Sequence, residues 1–196
     1  MTCDYLREKY PEVPIIFDAK RADIGSTNQG YAQFAFDWLG ADAITLHPYL
    51  GREAIQPFLD RKDKGCIILC RTSNPGAGEM QDLKVGGKSL YQVVARMVAT
   101  KWNGNRNCGL VVGATYPGEL GIVRRIAPTL PLLVAGVGAQ GGDLKKSVKF
   151  GIRKNGDGLV INASRSIIFA SGGENFAKKA REEAQKLRDE INKYRS

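Results

Sequence analysis

Six short apolar runs, each closed by a polar or glycine-rich loop and followed by a helical pattern, predict a parallel α/β fold. The runs are short enough to be buried on both faces. Polar and glycine-rich residues gather at their C-terminal ends, which makes a TIM (β/α)8 barrel the natural candidate. A doubly wound sheet shares this periodicity and stays open as the alternative. The 196 residues, 43% hydrophobic and 25% charged, are material for a single domain over residues 1–196. A TIM barrel takes eight strands and about 250 residues. The shortfall, in a chain whose first residues already read as helix, predicts an incomplete barrel, N-terminally truncated, without its first two strands. Such an open wall exposes backbone edges and apolar surface, and calls for a partner, a companion fragment or rearrangement.

Residues 2–10 form the last turns of a helix, stopped by Pro11 and Pro14 before a strand at 15–17. Gln29 to Leu39 is helical, with Tyr31, Phe34, Ala35 and Trp38 at amphipathic spacing and facing the core. The strand Asp42-Ala43-Ile44-Thr45-Leu46-His47-Pro48 is followed by a helix from Gly51 to Leu59. Cys66 to Cys70 leads into Arg71-Thr72-Ser73-Asn74-Pro75-Gly76, a Gly/Lys-rich loop and a helix from Leu90 to Lys101. Cys108 to Val112 precedes Tyr116-Pro117, which fixes a turn and starts a helix ending near Ala127. Pro131 to Val134 leads into a glycine loop and a helix to Phe150. Gly158 to Ile161 leads into Asn162-Ala163-Ser164-Arg165-Ser166, and a charged helix from Glu174 to Tyr194 closes the chain.

Composition narrows the function classes. No run of about 18 apolar residues occurs, which argues against a membrane span. The first ten residues lack the apolar core of a secretory signal, and a cytoplasmic protein is expected. Cys3, Cys66, Cys70 and Cys108 show no C-x-x-C spacing and are read as reduced, packed thiols. With a lone histidine, His47, no metal site is expected. His47, at a strand end before Pro48, is read as a structural hydrogen-bonding residue, ligand contact being the alternative. The net charge of +9 is spread among acids, as in Lys178-Lys179-Ala180-Arg181-Glu182-Glu183. That is a solvated helix face rather than a nucleic-acid stripe, and the excess suits steering of a small anionic substrate.

The most informative stretch is Asp18-Ala19-Lys20-Arg21-Ala22-Asp23. Side chains two apart on a strand share a face, so Asp18 and Lys20 are expected side by side, with Asp23 beyond them on a loop. The spacing alone is weak, since a salt bridge closing a strand end has the same form. Set within Phe17-Asp18-Ala19-Lys20-Arg21-Ala22-Asp23-Ile24-Gly25-Ser26-Thr27, it resembles the signature of the orotidine 5'-phosphate decarboxylase family, the D-A-K-R-x-D-I-G-S-T branch.

A second site is read from glycines. In Gly136-Val137-Gly138-Ala139-Gln140-Gly141-Gly142 backbone N–H groups can face an anion, and the next helix adds its positive N-terminal end. Arg165, on the last such loop, offers a guanidinium suited to bidentate phosphate binding. The glycine loop is similar to the family's phosphate-gripping loop, which implies that Gln140 bridges base and phosphate beside Gly141. The resemblance also gives Arg165 the phosphate and Ser73 the pyrimidine edge. Ser164 stands before Arg165 where many members have glycine.

The resemblance spans essentially all 196 residues and about three quarters of the family's barrel. It implies a cofactor-independent carboxy-lyase of pyrimidine biosynthesis that converts OMP to UMP. Lys20 then stabilises and protonates the C6 carbanion, flanked by Asp18 and Asp23. It also implies homodimeric sites, with Asp23 and Thr27 reaching in from the other subunit, while charge patterning and hydropathy give no nucleic-acid or membrane partner. The family's array is Lys-Asp-Lys-Asp. Its first lysine and a ribose-binding aspartate come from earlier strands, and neither is found upstream of residue 18. Three alternatives stay open: a non-catalytic chain binding phosphorylated ligands, one half of a split enzyme, and a sugar-phosphate decarboxylase of the same fold.

Overall fold

The computed structural model describes residues 2–137 and 141–195. Helix α1 (Thr2–Lys9) precedes strand β1 (Ile16–Arg21); α2 (Gly25–Ala32), β2 (Ala43–Leu46), α3 (Gly51–Leu59) and β3 (Gly65–Arg71) follow. A short α4 (Gly78–Gln81) and a hairpin of β4 (Lys84–Val85) and β5 (Lys88–Ser89) lead into α5 (Leu90–Met97). Then come β6 (Cys108–Gly113), α6 (Pro117–Ile126), β7 (Leu132–Ala135), α7 (Leu144–Gly151), β8 (Leu159–Ile161), α8 (Arg165–Ile168) and α9 (Phe176–Lys193).

The six longer-range strands are hydrogen-bonded in the order β1-β2-β3-β6-β7-β8. Pairing is parallel between β1 and β2, β2 and β3, and β7 and β8. A doubly wound sheet reverses its strand order at a switch point. Among the described residues no reversal occurs, so the sheet has the singly wound order of a TIM-barrel wall, with six strands.

The chain falls into two units, Met1–Cys70 with Val93–Leu110, and Arg71–Gln92 with Val111–Ser196. In the first, Ile44, Leu46, Ile55, Phe58, Leu59, Ile68 and Val98 are wholly buried, and Phe36 meets Phe58 edge to face at 6.3 Å. Carbonyls at the end of α3 would be orphaned there. The Asn107 amide donates to the carbonyls of Leu59, Arg61 and Lys64 at 3.1 Å, and Asn105 adds a bond to Leu59 at 2.9 Å.

Several expectations need correction. Tyr31, Phe34 and Trp38 do not line the core: Phe34 is 42% and Trp38 59% exposed, while Ala32, Ala35 and Phe36 are buried. From Gln33 to Trp38 the helix widens, with Leu39 N–H donating to the Phe34 carbonyl, so the inward face rotates away from regular spacing. Phe34 and Trp38 stack on each other instead, at 5.0 Å. Strands β1 and β8, the two edges of the sheet, are not buried on both faces: neither contains a buried residue. The Gly/Lys-rich stretch is not an irregular loop: it forms α4 and the β4–β5 hairpin, turned by Gly86 and Gly87 at φ +56° and +77°.

In the second unit, Leu120, Val123, Leu132, Val134 and Val148 are wholly buried. Arg124 is buried among them because its guanidinium collects carbonyls left over at element ends. It donates to Gly151 and Leu130 at 2.7 Å, Gly158 at 2.8 Å and Ala127 at 3.1 Å. Burial, and then the charge of Arg153, push its pKa down to about 10, which leaves it cationic at neutral pH. Arg124→Met would strip these carbonyls of their donor. The expected loss is about 3 kcal/mol, read as a lower urea midpoint with an unchanged slope.

Candidate active site

The signature stretch occupies β1 and the loop into α2. Lys20 Nζ donates to Asp18 Oδ2 at 2.6 Å, so the two side chains lie together as strand alternation predicts. The strand is not regular here. Register runs Ile16 to Ala43 and Phe17 to Ile44, then Arg21 to Leu46, so Asp18, Ala19 and Lys20 all lie opposite Thr45. Lys20 takes up the excess in a left-handed conformation, φ +49°, uncommon for a residue with a side chain. The wholly buried Thr45 hydroxyl accepts the Lys20 backbone N–H at 3.0 Å and donates to Asp18 Oδ1 at 2.8 Å. Partial burial raises the Asp18 carboxyl, but hydrogen bonds from Lys20 and Thr45, with the Lys20 charge, outweigh it and hold it below the usual carboxylate value.

Asp23 begins the turn into α2. Its carboxylate accepts the Ile24 N–H at 2.6 Å, and no ion pair joins it to Lys20 among the described residues. Asn28, wholly buried, fixes this turn: its side chain accepts Asp23 N–H at 2.9 Å and donates to the carbonyls of Asp23 and Ala54. Thr27 sits half-buried in α2. His47 ties the end of β2 to the same loop, its Nε2 lying 2.9 Å from the Ala22 carbonyl and its Nδ1 accepting Tyr49 N–H at 3.4 Å. Those two bonds suit the structural reading of His47.

In the second unit, Ser73 follows β3 on a loop held from below by Arg71. This arginine is 2% exposed, paired with Glu119 and with Asp82 at 3.4 Å, and lies over the rings of Tyr116 and Tyr91. Gln81 grips the next residue, accepting Thr72 N–H at 2.9 Å and donating to its hydroxyl at 3.0 Å. Gly113 makes room for the loop: a Cβ there would come within 2.8 Å of Ser73 N.

Gln140 lies outside the described residues. Gly141 is exposed in the left-handed region, φ +79°, and Gly142 N–H closes the turn onto the Gly136 carbonyl at 3.1 Å. Arg165 is exposed at the start of α8, and with Gly136, Val137, Asn162 and Ser164 it lines a cleft of about 170 Å³. The loops after β7 and β8 thus meet at one opening, as the sequence predicts. Asp143 caps the N-terminal end of α7, its Oδ1 accepting Lys146 N–H at 2.9 Å.

Sequence reasoning missed Thr45, Asn28, Arg71 and Gln81. For Thr45 a signal existed, a lone hydroxyl inside the apolar run Ala43–Leu46. For Arg71 the main partner, Glu119, lies 48 residues away; Asn28 and Gln81 bond Asp23 and Thr72, five and nine residues away, with no sequence pattern that marks them.

Comparison with known proteins bears on this geometry. A model of the "Orotidine 5'-phosphate decarboxylase / HUMPS family" matches residues 1–180. The orotidine 5'-phosphate decarboxylase of Janthinobacterium sp. (strain Marseille) is 55% identical over 172 residues, 88% of this chain and 64% of that protein. That of Azoarcus sp. (strain BH72) is 54% identical over 192 residues, 98% of this chain and 71% of that protein. The solved OMP decarboxylase of Leishmania donovani superposes with a TM-score of 0.87 at 42% identity, covering 98% of this chain and 73% of that one. The chain therefore spans less than two thirds of the length of the Janthinobacterium relative. With its first 180 residues matched by the family model and identity above half in the Janthinobacterium and Azoarcus relatives, the chain belongs to the orotidine 5'-phosphate decarboxylase / HUMPS family.

Proposed function

We propose that this chain decarboxylates OMP to UMP and CO2, working in the cytoplasm as a homodimer whose barrel domain comprises residues 1–196. The observation that carries the reading is the ammonium of Lys20 lying on the Asp18 carboxylate at the end of β1, within the family's signature. When the bond from C6 to the carboxyl carbon breaks, its electron pair stays on C6. A preformed cation stabilises that charge most where it develops, and the Lys20 ammonium then passes its proton to C6. Asp18 holds the Lys20 ammonium in place through their hydrogen bond and faces the departing carboxylate. Arg165 and the glycine loop through Gly141 hold the phosphate in the cleft between the last two loops, with Gln140 spanning phosphate and base and Ser73 reading the pyrimidine edge. Asp23 and Thr27 complete the site of the other subunit. No organic cofactor or metal enters the scheme.

The test is turnover of OMP by the purified chain, followed as loss of ultraviolet absorbance; a chain that leaves OMP intact overturns the reading. Lys20→Ala is expected to lower kcat by at least about 10³-fold while UMP binding, measured by calorimetry, changes little. Arg165→Ala is expected to weaken UMP binding by about tenfold or more through loss of a charge-assisted hydrogen bond. Gly113→Ala would push the Ser73 backbone aside, and its effect should appear as weaker affinity for UMP with affinity for ribose 5-phosphate retained.

A further inference from the structure

The strand pairing that supports Lys20 has a gap, and one side chain fills it. Between Phe17 and Arg21 of β1 lie three residues, while the matching stretch of β2, between Ile44 and Leu46, contains Thr45 alone. Regular ladder bonds cannot serve a three-to-one excess, so the Lys20 N–H needs an acceptor from outside the ladder. On its other side Thr45 stays in register with Ile67 of β3, so its backbone is fixed by the sheet while its side chain is committed to β1. Both capacities of its hydroxyl are used, the lone pair by the Lys20 N–H and the proton by Asp18 Oδ1.

We infer that Thr45 is a positioning residue for the Asp18–Lys20 pair: its buried hydroxyl holds the left-handed turn at Lys20 and orients the Asp18 carboxylate so that its second oxygen meets the ammonium. The inference rests on the decarboxylase reading for its catalytic consequence, though the geometry stands apart from it. Asp18 presents one oxygen to Thr45 and the other to Lys20. Without the hydroxyl, the carboxylate is free to rotate and the Lys20 N–H loses its acceptor. Both side chains of the pair are about half exposed, so water replaces the lost bonds and the pair loses its fixed direction. A valine at this position keeps the shape and β-branching of threonine, so the packing in β2 survives and only the hydroxyl is removed.

The experiment compares Thr45→Val and Thr45→Ser with the unchanged chain in three measurements: OMP turnover, UMP binding, and titration of Asp18 by carbon-13 NMR of its carboxyl group. Thr45→Val is expected to lower kcat about 10- to 100-fold, the scale of one lost hydrogen bond to a charged group. UMP affinity should stay within about threefold, and the Asp18 titration should move to higher pH as a donor to its charged form is lost. Thr45→Ser, which keeps the hydroxyl, should restore both kcat and the titration. If Thr45→Val does not fold, Thr45→Ala takes its place in the same comparison. Unchanged kcat together with an unchanged Asp18 titration overturns the inference. So does a parallel loss of turnover, UMP binding and thermal stability that serine fails to rescue, since that is the signature of a purely structural threonine. Should the unchanged chain not turn over OMP, the decarboxylase reading fails, and the Asp18 titration alone decides whether Thr45 holds the pair.

Discussion

The pairing of β1 with β2 sets what the signature stretch can do. Parallel strands exchange evenly spaced backbone bonds, and any interruption must be made good by another donor or acceptor. Here the ladder holds at Ile16 and Phe17, lapses over three residues, and resumes at Arg21. The left-handed Lys20 sits within the lapse. A conformation of that kind costs on the order of 1 kcal/mol and persists only when its surroundings fix it. The half-exposed ion pair between Lys20 and Asp18 contributes too little to do so, since such pairs are worth about 0–1 kcal/mol. What fixes the turn is the buried side of the arrangement, the strand β2 beneath it and the Asn28 side chain that clamps Asp23 just beyond.

Two arginines play a comparable part in the second unit, by different means. Arg124 meets carbonyl oxygens, and nothing anionic bonds to its guanidinium among the described residues, so it acts as a many-toothed cap where several elements end. Arg71 meets carboxylates and tyrosine faces. Its charge is compensated, its planar group is stacked, and the loop that carries Ser73 leaves the sheet from this anchored point. Loops are more mobile than the strands they leave, and an ion pair at the root, its arginine buried, limits that freedom.

Much of this was legible in the sequence because strands and their polar ends are encoded locally. The helix Gly51–Leu59 and the strand beginning at Cys108 fall where periodicity places them. Asp18 and Lys20 meet as alternation predicts, although the strand is bulged over both residues and the contact comes from the left-handed turn at Lys20 rather than from a regular pleat. What periodicity cannot carry is a change of helix geometry: the widened turn after Ala32 exchanges Phe34 and Trp38 for Phe36 on the inner face. The hairpin between Lys84 and Ser89 was hidden because its strands are two residues long, below the length at which alternation registers. The pairing of Arg71 with Glu119 joins residues 48 apart, beyond the reach of local patterning. Asp143, just after the glycines and three residues before Lys146, is a recognisable helix cap.

The widened helix leaves the chain with two tryptophans in opposite surroundings. Trp102 is 7% exposed and Trp38 59% exposed, the latter lying flat against Phe34. Their fluorescence should therefore separate by wavelength and by access to a soluble quencher. The red-shifted, quenchable component belongs to the outer indole and the blue one to the interior, giving two optical reporters within the first unit without any added dye.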